Sequence, residues 1–461
     1  MSKRQYENRI KNWKTKAIER RKENEYLKSR LKELTLSRDN WKRKYQTEKL
    51  SATHILLNSK KAKGHHYSLQ LVVLVTELYR YGSMSLRSCR HTLACLYLCL
   101  GLSGKIPCHN SIRNWLCKLG SYRVNALENN DITNPEYVIY VDESISFGSE
   151  KILLVLGLNT ASIPTTRSLS HKDMEVLPIG VGKEWKGEHI AKEITKSVEN
   201  KEVKYVVSDE GNNLKKAYKQ LNYSHIKDCT HVFANYLKRL YKEEEDFKSF
   251  SKLIGKLRQK WNLSKDNSHY LPPSMSGKMR FANIFPCVNW SKKMLQNWED
   301  LPIDVQEQIL FLKQKSAFIE GLIQVEKIFK TTCEHLKNRG FGKAQHRKLL
   351  EELLKIQTQT WTKLHPKAAI FLENIKVYLE SLVTKSKELN EEFLLCSSDI
   401  IESYFGKFKT KINPNSRSGL TEFIFTIATF GKTFSIEEAQ NALENIKCKH
   451  LKLQNIKTMA A

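Results

Sequence analysis

The first 60 residues contain neither proline nor glycine. With no helix breaker and no turn former, that stretch reads as one long helix. Acid is the second scarcity: 49 Asp and Glu stand against 77 Lys and Arg, for a net charge of +28. A surplus of that size points to a polyanionic partner, either nucleic acid or an anionic membrane. Long apolar runs are missing as well. Leu69–Leu78 and Leu93–Leu102 reach about half of a bilayer and carry polar breaks, so no membrane span is expected. The amino terminus is charged from Lys3 onward, and no secretory signal is expected there. Ten cysteines lack paired spacing, which predicts reduced thiols in a cytoplasmic protein. Nucleic acid is then the better partner.

What is present is unevenly spread. Residues 1–64 hold 20 Lys and Arg against 7 Asp and Glu, the layout of a basic arm ahead of a balanced body. A 3-4 repeat runs through that arm from Tyr6 and Ile10 to Trp13, Ala17, Arg20, Asn24, Leu27, Leu31, Leu34, Arg38, Trp41 and Tyr45. Its mostly apolar seam, with Asn24 as a register-fixing interruption, predicts a coiled coil over 1–63 that dimerises and touches DNA backbone. A solvated basic helix packed on its own chain is the bland alternative.

Lys61–Ser68 breaks the pattern. Residues 64–125 then predict three short helices: Leu69–Tyr79, a second capped by Ser83 or Ser85 and running through Leu100, and His109–Leu119, entered after Pro107 and closed by Gly120. This arrangement suggests a helix-turn-helix, with Asn110, Arg113, Asn114 and Lys118 facing a groove. Cys89, Cys95, Cys99, Cys108 and Cys117 crowd the same region, but their spacing is not that of a zinc site.

From Tyr137 the pattern changes. Tyr137–Val141 and Lys151–Leu158 are apolar and rich in strand formers, and Met174–Gly180 predicts a third strand. A helix over Gly187–Val198, a strand at Tyr205–Val207, a helix over Asn212–Leu221 and a fifth strand at Ser224–Asp228 follow. That order predicts a mixed five-stranded α/β sheet covered by helices. Residues 236–395 read as helical throughout, a domain or insertion rather than a loop. Cys396–Lys411 predicts a capped helix, followed by a loop at Asn413–Gly419 and helix to the end.

Two acids terminate apolar strands, Asp142 after YVIYV and Asp209 after YVVS. Strand carboxyl ends are where α/β sheets present side chains to ligands, although a loop Asp that caps the next helix would look the same. Carboxylates brought within about 4 Å repel by several kcal/mol at an effective dielectric near 20 and call for a compensating hard cation. Two such cations can serve phosphodiester transfer, and the chemistry needs a third carboxylate.

The order YVD, VSDEGNNL, DCTH and SSDIIESYFGKFK resembles the DDE transposases, over 137–231 and 396–411, about a quarter of the chain. The resemblance implies an RNase H-like catalytic core, formed by 135–235 and 396–461 and interrupted by the all-helical insertion 236–395. It also implies Asp142, Asp209 and Glu402 as catalytic metal ligands for two Mg²⁺ or Mn²⁺ ions. Asp228-Cys229-Thr230-His231 is similar to the Asp/Cys-x-x-His element of hAT- and Mutator-like groups, which implies a site role for His231. Lys407, Lys409 and Lys411 then suit phosphate contacts beside the ions.

The implied protein is an insertion-sequence transposase, cytoplasmic and nucleoid-associated in a bacterium. It would act on double-stranded DNA as a homodimer or higher oligomer, with no covalent protein–DNA intermediate. Some alternatives stay open. Asp399 and Glu402 fit a capping box, Glu391, Glu392 and Asp399 are other third carboxylates, and Cys229 fits a core position. The chain could also be a DNA-binding regulator or domesticated transposase without catalysis, or a nuclease of the same fold without strand transfer.

Overall fold

The computed structural model describes residues 3–58, 60–102, 104–126, 135–144, 146–165, 167–177, 179–198, 201–263, 267–275, 282–357, 359–412 and 419–451. The loop expected at Asn413–Gly419 falls almost wholly outside the described residues, as does the end of the tail expected to be helical, residues 452–461. The side chains of Tyr6 and Ile10 lie outside them too. The chain divides into two compact units: residues 1–112 with 435–444, and residues 113–434 with 445–461.

In the first unit, α1 is a single helix of 56 residues, Lys3–Asn58. Its seam is open to solvent: Trp13, Leu27, Leu31, Leu34 and Trp41 are all exposed. Helices α2 (Leu69–Tyr81) and α3 (Leu86–Leu100) follow. Ser68 and Ser85 are their amino-terminal caps, accepting from the Leu71 and Ser88 amides. Gly101 closes α3 in the left-handed region at φ 62°, where a side chain would be strained. Glu444 Oε1 accepts from the Lys63 amide at 2.8 Å, tying residues 435–444 to the segment before α2.

Helix α4 (His109–Ala126) does not stop at Gly120. A Cβ at that position would lie 1.9 Å from the Phe425 carbonyl oxygen, so glycine marks a close backbone approach there rather than a helix end. From Trp115 to Ser121 every residue of α4 is buried. Cys117 packs with Phe425 and Leu451. The expectation of a groove-facing third helix is corrected accordingly. Lys118 is only 8% exposed, Arg113 is paired with Glu422 at 2.7 Å, Asn114 is half-buried and Asn110 alone of the four is exposed.

The second unit is built on a mixed sheet. Its strands are β1 (Glu136–Glu143), β2 (Lys151–Asn159), β3 (Glu175–Val176) and β4 (Gly180–Gly182). Helix α5 (Gly187–Ser197), β5 (Glu202–Ser208), α6 (Asn212–Leu221) and β6 (His225–Lys227) follow. The sheet has six strands rather than five, in the order β3-β2-β1-β5-β6 with β4 also on β2, because the third predicted strand divides into two short ones. Strands β1 and β2 are antiparallel, whereas β1, β5 and β6 run parallel.

Residues alternate between the two faces along β1. Tyr137, Ile139 and Val141 join the core that α5 and α6 cover through Ile190, Ile194, Leu214 and Tyr218. Val138, Tyr140 and Asp142 therefore point to the opposite face.

That face is covered by later helices. Helices α7 (Cys229–Tyr241) and α8 (Glu245–Leu263) lead into α9 (Phe285–Gln296), α10 (Ile303–Gln308), α11 (Phe311–Gln314) and α12 (Ser316–Arg339). Next come β7 (Phe341–Gly342), α13 (Lys343–Leu354), α14 (Gln359–Leu364), α15 (Pro366–Leu389), β8 (Phe393–Leu394) and α16 (Asp399–Ile412). The region expected to be purely helical thus contains one small antiparallel ladder, β7 with β8. Phe233, Phe285, Phe329, Phe371 and Tyr378 form a continuous aromatic cluster through α7, α9, α12 and α15. The Tyr378 hydroxyl donates to the Lys227 carbonyl at 2.8 Å and so joins these helices to the sheet edge. A last helix, α17 (Ile436–Asn445), returns to the first unit.

Candidate active site

Asp142 lies near the carboxyl end of β1. Tyr140 is level with Val207 across the parallel pairing, and continuing that register two residues sets Asp142 level with Asp209. Asp209 follows the last residue of β5. Its Oδ1 accepts from the Gly211 amide at 2.9 Å, which turns the chain into α6.

Two further side chains come from the helices over the same face. His231 lies in the first turn of α7 and Glu402 in the first turn of α16, and His231 Nε2 is 3.0 Å from Glu402 Oε1. Asp228 fixes both helix starts. Its Oδ1 accepts from the His231 amide at 2.8 Å, and its Oδ2 accepts from the Ser398 amide at 2.6 Å and the Ser398 hydroxyl at 3.1 Å. Asp228 is 1% exposed, so one buried carboxylate satisfies donors from two elements that are 170 residues apart. Cys229 donates its amide to the Cys396 carbonyl at 2.9 Å, and its thiol is buried beside Cys333 and Cys396. Cys229 is a core residue.

Asp142, Asp209, His231 and Glu402 line one cleft of about 680 Å³. Glu143, Lys151 and Lys409 line it too. Burial, then the charges of Asp209 and Glu402, push the Asp142 carboxyl up to about 7. The hydrogen bond to Glu402 holds the His231 imidazole up to about 9, against its own desolvation. The cleft thus concentrates negative charge that it balances only in part.

The rival third carboxylates lie elsewhere. Asp399 pairs with Lys337 at 2.6 Å, Glu391 stands 4.0 Å from Lys204, and neither they nor Glu392 line the cleft. The Glu402 side chain is turned to His231, and Ser398 rather than Asp399 precedes the first helical residue, so the alternative of an Asp399–Glu402 capping box is not the arrangement formed. Of the three lysines past Glu402, Lys409 lines the cleft, whereas Lys407 Nζ lies 3.5 Å from His171 Nδ1 and Lys411 is half-buried.

Sequence reasoning missed Lys151, and alternation along β1 would send Glu143 to the face opposite Asp142. Lys151 and Glu143 pair at 3.2 Å on the cleft wall. The short link between two apolar strands was the available signal, since a hairpin returns β2 beside the end of β1. Glu210 does turn aside, to Lys227 at 2.9 Å and Asn235 at 3.2 Å.

The donor chemistry of three carboxylates suits a hard divalent cation. The arrangement is not yet that of a ligand set. Among the described residues no group of three or more His, Cys, Asp or Glu side chains is placed to hold a metal ion, and Glu402 spends one oxygen on His231. Glu402 is half exposed, with 52% of its side-chain surface accessible. No helix among the described residues is long and apolar enough to cross a membrane. No protein-family model matches the chain, and a search of curated proteins finds no match.

Proposed function

We propose that this chain is a metal-dependent DNA transposase with an RNase H-like core, acting in the cytoplasm on the ends of an insertion sequence. The observation that carries the reading is the meeting of Asp142, Asp209 and Glu402 in one cleft, from two neighbouring strands and a helix near the other end of the chain. The order of four antiparallel strands, two of them short and both on β2, then helix, parallel strand and helix supports the fold, and the net charge of +28 supports the polyanionic substrate.

Asp142, Asp209 and Glu402 are the residues to hold Mg²⁺ or Mn²⁺. Bound there, such ions would supply Lewis acidity to the scissile phosphodiester. His231 orients the Glu402 carboxylate and donates to it. Lys151 and Lys409 stand on the cleft wall where non-bridging phosphate oxygens would lie, and Lys151 shares its charge with Glu143. The open seam of α1 supports a homodimer through a coiled coil, which solution mass against dilution would test.

The experiment is a strand-cleavage and joining assay on DNA flanking the gene, with and without Mg²⁺. Cleavage that needs Mg²⁺ and is lost in D142N, D209N and E402Q is the expected result, and joined product separates a transposase from a nuclease. A second reading, DNA binding without catalysis, is favoured by Glu402 resting on His231 rather than with the two aspartates. Retained DNA binding with no cleavage in either Mg²⁺ or Mn²⁺ would select it.

A further inference from the structure

A second cleft, of about 670 Å³, opens within the helical region at the junction of α7 and α8. Four exposed lysines form its walls: Lys238 in the last turn of α7 and Lys242 at its carboxyl-terminal cap, and Lys248 and Lys252 one turn apart on α8. Phe247 and Ile284 form an apolar floor. Among the described residues, no acidic residue lines it. Glu243 and Glu245 neutralise only part of the charge, reaching Lys242 at 3.5 Å and Lys248 at 3.2 Å each. Lys238 and Lys252 meet no carboxylate among the described residues.

The position of this cleft follows from helix geometry. His231, Lys238 and Lys242 are seven and eleven residues apart, which on an α-helix keeps them within about 20° of one line. The same face of α7 that presents His231 to the first cleft presents the lysines to the second. The separation along the axis is roughly 10 Å to Lys238 and 16 Å to Lys242. At about 3.4 Å per phosphate, the rise of one strand while it is still paired in a duplex, that is some three to five nucleotides.

We propose that the lysine cleft binds one unpaired nucleotide of the DNA strand, about three to five nucleotides from the phosphodiester at Asp142 and Asp209. The lysines take the phosphates and the base lies on the Phe247–Ile284 floor. The volume suits a nucleotide and is too small for a duplex. The placement rests on the transposase reading, whereas the binding chemistry does not.

The test is photo-cross-linking of the full-length chain, in EDTA, to a single-stranded oligonucleotide carrying 5-iododeoxyuridine, followed by peptide mapping. Cross-links in the peptides that contain Phe247 or Ile284 are expected. In K238E/K252E their yield falls about tenfold or more, from the loss of two phosphate contacts. K196E/K219E, which removes the same charge from exposed lysines outside the cleft, keeps it. K238Q/K252Q repeats the measurement without charge reversal.

Cross-links that map elsewhere, or that persist in both cleft variants, overturn the proposal. So does displacement by millimolar thymidine monophosphate as effective as that by the unlabelled strand, because the site would then be one for free nucleotides. A chain that cross-links as described and never cleaves DNA sinks the transposase reading and leaves the nucleotide site standing. A chain that cleaves with Mg²⁺ but leaves no cross-link at this cleft does the reverse.

Discussion

His231 Nε2 lies 3.0 Å from Glu402 Oε1, a contact between two helix starts separated by 171 residues of chain. It joins a cationic and an anionic group of the cleft, and it depends on Asp228, which anchors both helix starts.

Removing the carboxylate charge in E402Q should lower the His231 pKa from about 9 toward the ordinary range, since burial is then opposed only by the charges of Asp228 and Asp209. Because the folded value is raised, the stability that this pair contributes is complete below about 6.5 and disappears as pH rises through 9. Imidazole titration by NMR checks the first statement, and the stability difference between wild type and E402Q across that window checks the second. An unchanged titration would show that Glu402 does not set the charge of His231.

Asp142 gives a prediction of the same sign in a lower window. Its folded pKa of about 7 exceeds the unfolded value near 3.8, so the stability linked to its protonation is full below about 3.8 and lost as pH rises through 7. D142N should therefore raise the melting temperature of the metal-free chain above pH 7 and leave it unchanged below pH 4. Mg²⁺ should raise that of the wild type and not that of D142N. Thermal melts at the two pH values, with and without the ion, decide it.

Asp228 holds three donors in a buried position. D228A strands the amides of His231 and Ser398 and should cost about 3 kcal/mol, with D228N costing less because it keeps an acceptor. Urea denaturation measures the loss. The positioning role has its own readout: D228N should also weaken the His231–Glu402 contact and lower the His231 pKa, which a purely structural residue would not do.

The ends of β1 and β5 were legible because YVIYV and YVV are short apolar runs closed by an acid, a pattern that local chemistry dictates. Ser85, one of two candidate caps for α3, was legible for the same reason. Glu402 was reached only through a resemblance, since nothing near it in sequence distinguishes a cleft carboxylate from a helix-start acid. The Asp228 anchor depends on a contact with Ser398, and Lys151 depends on a hairpin register, so neither shows in local sequence. Gly120 was misread because a helix-ending glycine and a close-packing glycine look alike until Phe425 is placed beside it. Lys118 was assigned to an exposed face for the same reason, before the partners that bury α4 were known.

Gly120 supplies a fold prediction independent of any activity. G120A sets a methyl 1.9 Å from the Phe425 carbonyl oxygen, contact with backbone that cannot turn aside, and should destabilise the second unit by about 1–3 kcal/mol or more. An unchanged denaturation midpoint would mean that α4 does not pack there.

The central claim is that Asp142, Asp209 and Glu402 converge on divalent cations. Crystals of the full-length chain soaked in Mn²⁺ and measured at the manganese absorption edge test it directly. Anomalous peaks coordinated by all three carboxylates, with Glu402 swung away from His231, are the expected result. Saturating Mn²⁺ that leaves the cleft without a peak, or a peak held elsewhere while Glu402 stays on His231, would contradict it.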